Sequence, residues 1–145
     1  MPSGTRATKE SRTALEHRLG ERITALLDAL SQGLHEELRE QDLTPPLAMT
    51  LRLLDEPRSM RFLADAHHCD ASNITGIVDR LERRGLAERC ADPSDRRVTL
   101  VHRTPHGDAM RLRLTRAARE RLTGIDALSD TELDRLSDLL ARLVG

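Results

Sequence analysis

Apolar residues recur at steps of three and four through the first third of the chain: Leu15, Leu19, Ile23, Leu26, Leu27, Leu30, Leu34 and Leu38. That spacing predicts a long amphipathic helix over residues 13–40. At 1.5 Å per residue it would run about 40 Å, which is long for a small domain, so part of its stripe is expected to meet a partner chain. Thr44-Pro45-Pro46 reads as an N-cap with proline in the first turn. The helix behind it carries Leu47, Leu51, Leu53 and Leu54 and stops before Pro57. A short helix from about Met60 to Ala66 is expected to turn Phe62 and Leu63 inward. After a turn at His67–Cys69, Asp70 caps a helix over Ala71–Arg84 with Ile74, Ile77, Val78 and Leu81 inward, and Gly85 ends it.

Leu86–Cys90 and Val98–His102 then read as two short strands around the turn-rich segment Asp92-Pro93-Ser94-Asp95-Arg96, a hairpin with an extended tip. Thr104-Pro105 caps a further helix running to about Leu122. Ser129-Asp130-Thr131-Glu132 is a capping box, opening a last helix with Leu133, Leu136, Leu139, Leu140 and Leu143 on one side. The expected fold is mainly α (α+β): a winged helix-turn-helix with a two-stranded wing, flanked by N- and C-terminal dimerisation helices. The implied organisation is a mobile arm at 1–12, a dimerisation helix at 13–42, a winged helix-turn-helix DNA-binding region at 43–103 and C-terminal dimerisation helices at 104–145.

Composition narrows the function. The chain has 145 residues, enough for one domain. No apolar run approaches the roughly 20 residues of a spanning helix, and the polar opening lacks the apolar core of a secretory leader. Two cysteines, Cys69 and Cys90, are too few for a disulfide scaffold, which suits a reducing cytoplasm. With no Trp, no Tyr and Phe62 alone, recognition of single strands by aromatic stacking is nearly excluded. The formal net charge of −1 hides a segregation. Residues 13–42 set three Arg against seven acids, residues 103–123 six Arg against two, and residues 124–145 two Arg against five. A basic centre between acidic ends fits a middle that touches phosphate and ends that touch each other.

Leu63-Ala64-Asp65 and the run from Ser72 through Asn73-Ile74-Thr75-Gly76-Ile77-Val78-Asp79-Arg80-Leu81-Glu82-Arg83-Arg84-Gly85 to Leu86 resemble the recognition-helix segment of MarR-family transcriptional regulators. So does Asp92-Pro93-Ser94-Asp95-Arg96-Arg97 leading to Thr104-Pro105-His106-Gly107. The motif resemblance covers about Arg61 to Gly107. It implies a homodimeric DNA-binding regulator, usually a repressor released by a small molecule or by oxidation. It departs from the family pattern at His67 (usually leucine), His68 (usually the turn glycine), Cys69 (usually aliphatic) and Arg103 (usually leucine).

A recognition helix enters the major groove by its N-terminal half, which puts Ser72, Asn73, Thr75 and Gly76 at the bases, with Arg80 one turn on. Asn73 suits adenine; Ser72 and Thr75 suit base or phosphate. Gly76 is unfavourable inside a helix by about 1 kcal/mol, which close passage of DNA or of another helix would rationalise. The plain alternative is a solvated polar face, with two of Arg80, Arg83 and Arg84 pairing with Asp79 and Glu82 along the helix. In the wing, Arg96 or Arg97 would enter a minor groove. By resemblance Asp95 orders the wing arginine through an ion pair; the alternative is a charged hairpin tip that keeps an edge strand soluble.

No cofactor, metal site or catalytic residue is expected. Both thiols are expected to be buried and inert, with a redox-sensing Cys69 beside His67 and His68, or a metal-responsive histidine set, as alternatives. A winged helix serving protein contacts is the other competing class. Enzyme motifs are missing. By resemblance a small-molecule effector would sit between the winged-helix lobe and the dimer helices, near Leu34, His35, Met49, Arg52 and Leu53.

Overall fold

Three of the helices end in the same way, and these endings aim the rest of the chain. The computed structural model describes residues 11–144. Helix α1 (Arg12–Glu40), α3 (Met60–Ala66) and α4 (Ala71–Arg83) each close with a left-handed residue just past the C-cap: Asp42, His68 and Gly85. In each, the next residue donates its N–H back to the last buried turn: Leu43 to Leu38, Cys69 to Ala64 and Leu86 to Leu81, at 2.8–3.0 Å. This Schellman pattern satisfies carbonyls the helix would leave open and turns the chain sharply. His68, the residue in the place of a turn glycine, therefore takes the glycine conformation, at φ 50°. The expected arm at 1–12 lies outside the described residues except for its end, where Ser11 caps α1 and Arg12 is already helical.

Helix α2 (Pro45–Leu53) starts at Thr44, α3 at Ser59, α4 at Asp70 and α5 (Pro105–Glu120) at Thr104. All but Thr44 accept a backbone N–H on the capping side chain, which satisfies one of the open donors of the first turn. The last helix, α6 (Asp130–Val144), opens on the expected capping box: Ser129 N–H donates to Glu132 at 2.9 Å, and Glu132 N–H returns to Ser129 Oγ. A 3₁₀ turn at Ile125–Ala127, not expected from sequence, precedes it.

Among the described residues the expected two-stranded wing gains a third, short strand on its other side. β2 (Ala87–Ala91) and β3 (Thr99–Arg103) form the antiparallel wing, one residue later than expected because Leu86 is spent on the α4 cap. β1 (Arg58–Ser59) pairs with the other edge of β3, in the order β1-β3-β2. Two residues carry no periodicity, so β1 leaves no trace in the sequence.

The core joins α2, α3, α4, the sheet and the inner ends of α1 and α5 through Leu38, Leu51, Leu54, Leu63, Ile74, Val78, Leu81, Leu86, Val101 and Leu114. Each fully buried aliphatic contributes about 1.5–3 kcal/mol. Phe62 does not join them: it is 39% exposed, and the Arg58 guanidinium covers its ring at 4.5 Å. Cys90 is exposed rather than buried, being on the edge strand β2. Cys69 is only partly buried, packed against the edge of the core rather than inside it, and its thiol is hydrogen-bonded to neither neighbouring histidine.

Helix α1 crosses α5 at Gly33, where a Cβ would lie 2.3 Å from the Ala117 carbonyl oxygen. Ion pairs Arg113–Glu37 and Arg121–Glu36 flank the crossing. Arg103, the basic residue in a usual leucine slot, donates to the Leu51 carbonyl at 2.7 Å and to Asp108 at 2.6 Å. It thereby caps the end of α2 and ties β3 to the first turn of α5. Away from the crossing, Leu15, Leu19 and Leu27 on α1 and Leu136, Leu139 and Leu143 on α6 are each more than 40% exposed, and α6 buries no residue.

Candidate nucleic-acid interface

The start of α4 is built by Asp70. Its carboxylate accepts the Asn73 N–H at 2.8 Å and the Ser72 hydroxyl at 2.7 Å. The Ser72 hydrogen bond, then that from Asn73, holds the Asp70 carboxyl below the usual carboxylate range. Ile74, Val78 and Leu81 fix the inner side of the helix. Ser72, Asn73, Thr75 and Arg80 are consequently exposed and Gly76 half-exposed. Thr75 donates to the Ala71 carbonyl at 2.7 Å, leaving its lone pairs outward. The side chains of Asn73 and Arg80 have no partner among the described residues. A Cβ on Gly76 would meet nothing within 4 Å, so no helix among the described residues explains the glycine.

The arginines behind this face are arranged differently from the expected i, i+4 pairs. Asp79 and Glu82 both turn to Arg89 of β2. The guanidinium meets Asp79 at 2.8 Å and also pairs with Glu82, whose other oxygen accepts the Arg89 N–H at 2.9 Å. Arg84 reaches the end of α1 and donates to the carbonyls of Gln41 and Asp42 at 2.5 and 2.8 Å. Arg83 touches only the Asp79 carbonyl, at 3.3 Å. The Arg89 clamp went unforeseen; its sequence signal is two acids at i, i+3 on one side of a helix with an arginine in the following strand.

The wing tip is ordered by its own acids. Asp92 accepts the backbone N–H and hydroxyl of Ser94 at 2.7 and 2.6 Å, and these bonds, the hydroxyl foremost, hold its carboxyl below the usual range. Asp92 N–H donates to Val98 and Val98 N–H to the Asp95 carbonyl, both at 2.9 Å. The Asp95 carboxylate accepts the Arg97 backbone N–H at 3.0 Å; it makes no ion pair with either wing guanidinium. Arg96 and Arg97 stand exposed, with no ion-pair partner among the described residues.

This geometry can be set beside known proteins. The MarR family model matches residues 43–99, from the start of α2 through the wing tip. A "probable transcriptional regulator" of Pseudomonas aeruginosa is 34% identical, and the match covers 86% of this chain and 98% of that one at a TM-score of 0.54. The chain belongs to the MarR family. Another relative of this MarR-family chain is the uncharacterized HTH-type transcriptional regulator YsmB of Bacillus subtilis, 33% identical over 54% of this chain and 56% of that protein. The chain spans about half the length of the curated relatives it matches. A mutant of S. aureus MepR, bound to an oligodeoxyribonucleotide, shares the fold at a TM-score of 0.61 and 20% identity, over 93% of this chain and 97% of that one. YsmB and the Pseudomonas aeruginosa relative are themselves described as transcriptional regulators.

Beside the interface lies an open cavity of about 800 Å³ between α1, α2 and α5, with His67 among its lining residues. Of the residues expected at an effector site, Leu34, His35, Met49 and Arg52 line it and Leu53 does not. No helix among the described residues is long and apolar enough to cross a membrane.

Proposed function

We propose that this protein is a homodimeric DNA-binding transcriptional regulator, a cytoplasmic repressor whose operator is pseudo-palindromic. The observation that carries the reading is the pairing of two unengaged surfaces on one rigid frame. Asn73 and Arg80 offer unspent side-chain donors to base edges in the major groove, Ser72 and Thr75 offer hydroxyl lone pairs, and Gly76 offers room for close approach. Arg96 and Arg97, on a tip ordered by Asp95, offer cations to the minor groove. A protein of the same fold is bound to an oligodeoxyribonucleotide, which supports this use of the surface.

Dimerisation rests on the exposed leucines of α1 and α6. Burying both stripes against a second copy places residues 13–42 and 104–145 at the interface and leaves residues 43–103 of each copy facing DNA. Two recognition helices would then lie about one helical turn, roughly 34 Å, apart. The cavity between α1, α2 and α5 is the site for a small-molecule effector.

The test is fluorescence anisotropy with the duplex upstream of the protein's own gene, against a scrambled duplex, over several salt concentrations. The reading expects specific binding that weakens steeply with salt as phosphate contacts release counterions. Equal or salt-insensitive binding to both duplexes would favour a winged helix that serves a protein partner.

A further inference from the structure

The polar face of α4 is one-sided in a way its residue types do not reveal. A serine or threonine hydroxyl can both donate and accept, and it rotates to suit its partner. On α4 two hydroxyls have lost that freedom. Ser72 Oγ lies 2.7 Å from Asp70 Oδ1, and Thr75 Oγ1 lies 2.7 Å from the Ala71 carbonyl oxygen. Neither a carboxylate nor a carbonyl has a proton to give, so each hydroxyl must supply its own. What it turns to solvent is lone pairs alone. The Ser72 bond is the stronger of its kind, because the Asp70 carboxyl is held below the usual range and is ionised at neutral pH.

Asp70 adds to the same bias. It is the N-cap of α4 and spends Oδ1 on both the Asn73 N–H and the Ser72 hydroxyl. A helix N-terminus ordinarily draws in phosphate, but at α4 a carboxylate already occupies that place. Ser72 and Thr75 are neighbours at i, i+3 on the exposed face, with Gly76 one turn beyond Ser72. A Cβ on Gly76 would meet nothing within 4 Å, so this stretch is open to the edge of a base pair. The first cation along the helix is Arg80, a further turn on. The start of α4 is therefore mainly an acceptor surface, with the Asn73 amide as its one side-chain donor.

Acceptors discriminate between bases. In the major groove adenine and cytosine present an amino group, at N6 and N4, while guanine and thymine present the acceptors O6 and O4. An outward lone pair attracts the first two and repels the second two. It repels a phosphate oxygen for the same reason. We propose that the start of α4 reads amino groups: Ser72, with its proton drawn to Asp70, and Thr75 each accept from an adenine N6 or a cytosine N4, and neither holds phosphate. The proposal rests on the reading of α4 as a recognition helix and adds to it the base edges that are selected. Asp70 acts through Ser72, as a positioning residue.

The experiment starts from duplexes selected out of a random pool by the full wild-type chain. Base preference is then mapped for Ser72→Ala, Thr75→Val and Asp70→Gly, glycine being an acceptable N-cap, and circular dichroism checks that all three fold. The first two variants each mark the base pair that their residue reads. At those pairs, purine in place of adenine or pyrimidin-2-one in place of cytosine deletes the amino group; a 7-deazapurine or 4-thiothymine weakens an acceptor instead. Deleting the amino group should cost the wild type about fivefold or more in affinity and the matching variant less than about twofold. Weakening the acceptor should cost both alike. Asp70→Gly should lose discrimination at the Ser72 pair, where the hydroxyl is again free to turn and donate, and keep it at the Thr75 pair. A variant-dependent loss on weakening the acceptor, no pair altered by Ser72→Ala or Thr75→Val, or equal effects of Asp70→Gly at both pairs would overturn the proposal. A pool from which no duplex is enriched would sink the DNA-binding reading itself, and this proposal with it.

Discussion

Gly107 lies against the backbone of Leu86 so closely that a Cβ would stand 1.9 Å from the Leu86 carbonyl oxygen. The obstacle is main chain, which cannot swing aside. The same join is tied by Thr104, whose hydroxyl donates to the Gly85 carbonyl at 2.6 Å and accepts the Gly107 N–H at 3.0 Å. Gly107→Ala should therefore destabilise the fold by about 3 kcal/mol, the upper end for overpacking, read as a lowered urea midpoint. A midpoint within experimental scatter of the wild type would mean that α5 packs elsewhere.

Gly76 gives the opposite result. The position is helical and open, so Gly76→Ala should stabilise the protein by about 1 kcal/mol. Operator affinity should fall at the same time if DNA passes close to that backbone. A variant more stable and equally tight on DNA would take Gly76 out of the interface.

The wing arginines should act through phosphate or groove potential and leave folding alone. Arg96→Ala and Arg97→Ala should keep the wild-type melting curve, because neither side chain has a partner to lose. The one that touches DNA should lower the slope of log affinity against log salt by about 1. An unchanged slope in both would count against the wing as a contact.

His67 gives stability a pH dependence of its own. Burial sets its folded pKa below the unfolded value near 6.5. Both states are neutral well above that value. As pH falls through it the unfolded chain takes up a proton first, so stability declines until the folded histidine also titrates. Thermal melts at pH 5.5–7.5 should show this decline in the wild type, and His67→Leu should lose that part of it.

If α1 and α6 meet a second copy, Leu139→Glu should convert a dimer into a monomer in sedimentation equilibrium. Burying the carboxylate in an apolar seam costs far more than the leucine contributed. A wild type that already sediments as a monomer would refute the dimer reading.

The sequence made the helices legible because each begins with a side chain that can accept an N–H and carries its apolar residues at helical spacing. Ser59, Asp70, Thr104 and Ser129 all cap as their residue types suggest. What escaped were relationships between distant segments. Arg58-Ser59 is a strand only because β3 offers it an edge. Phe62 looked like core by its apolar character, yet Arg58 gives its ring a place at the surface. The residue types of the polar α4 face were legible; the clamp of Asp79 and Glu82 on Arg89 was not, since local spacing favoured partners on the helix itself.

Arg84 joins the end of the recognition helix to the end of α1, a rod of 29 residues and about 44 Å. That tether makes a lever. With its fulcrum at Gly33, a swing of about 5° carries the outer end of the rod, about 32 Å away, through about 3 Å and shifts the end tied to Arg84 the opposite way. In an assembly of two such rods, the distance between reading heads is then a matter of angle at a glycine crossing, and a molecule small enough to sit beside that crossing has the leverage to change it.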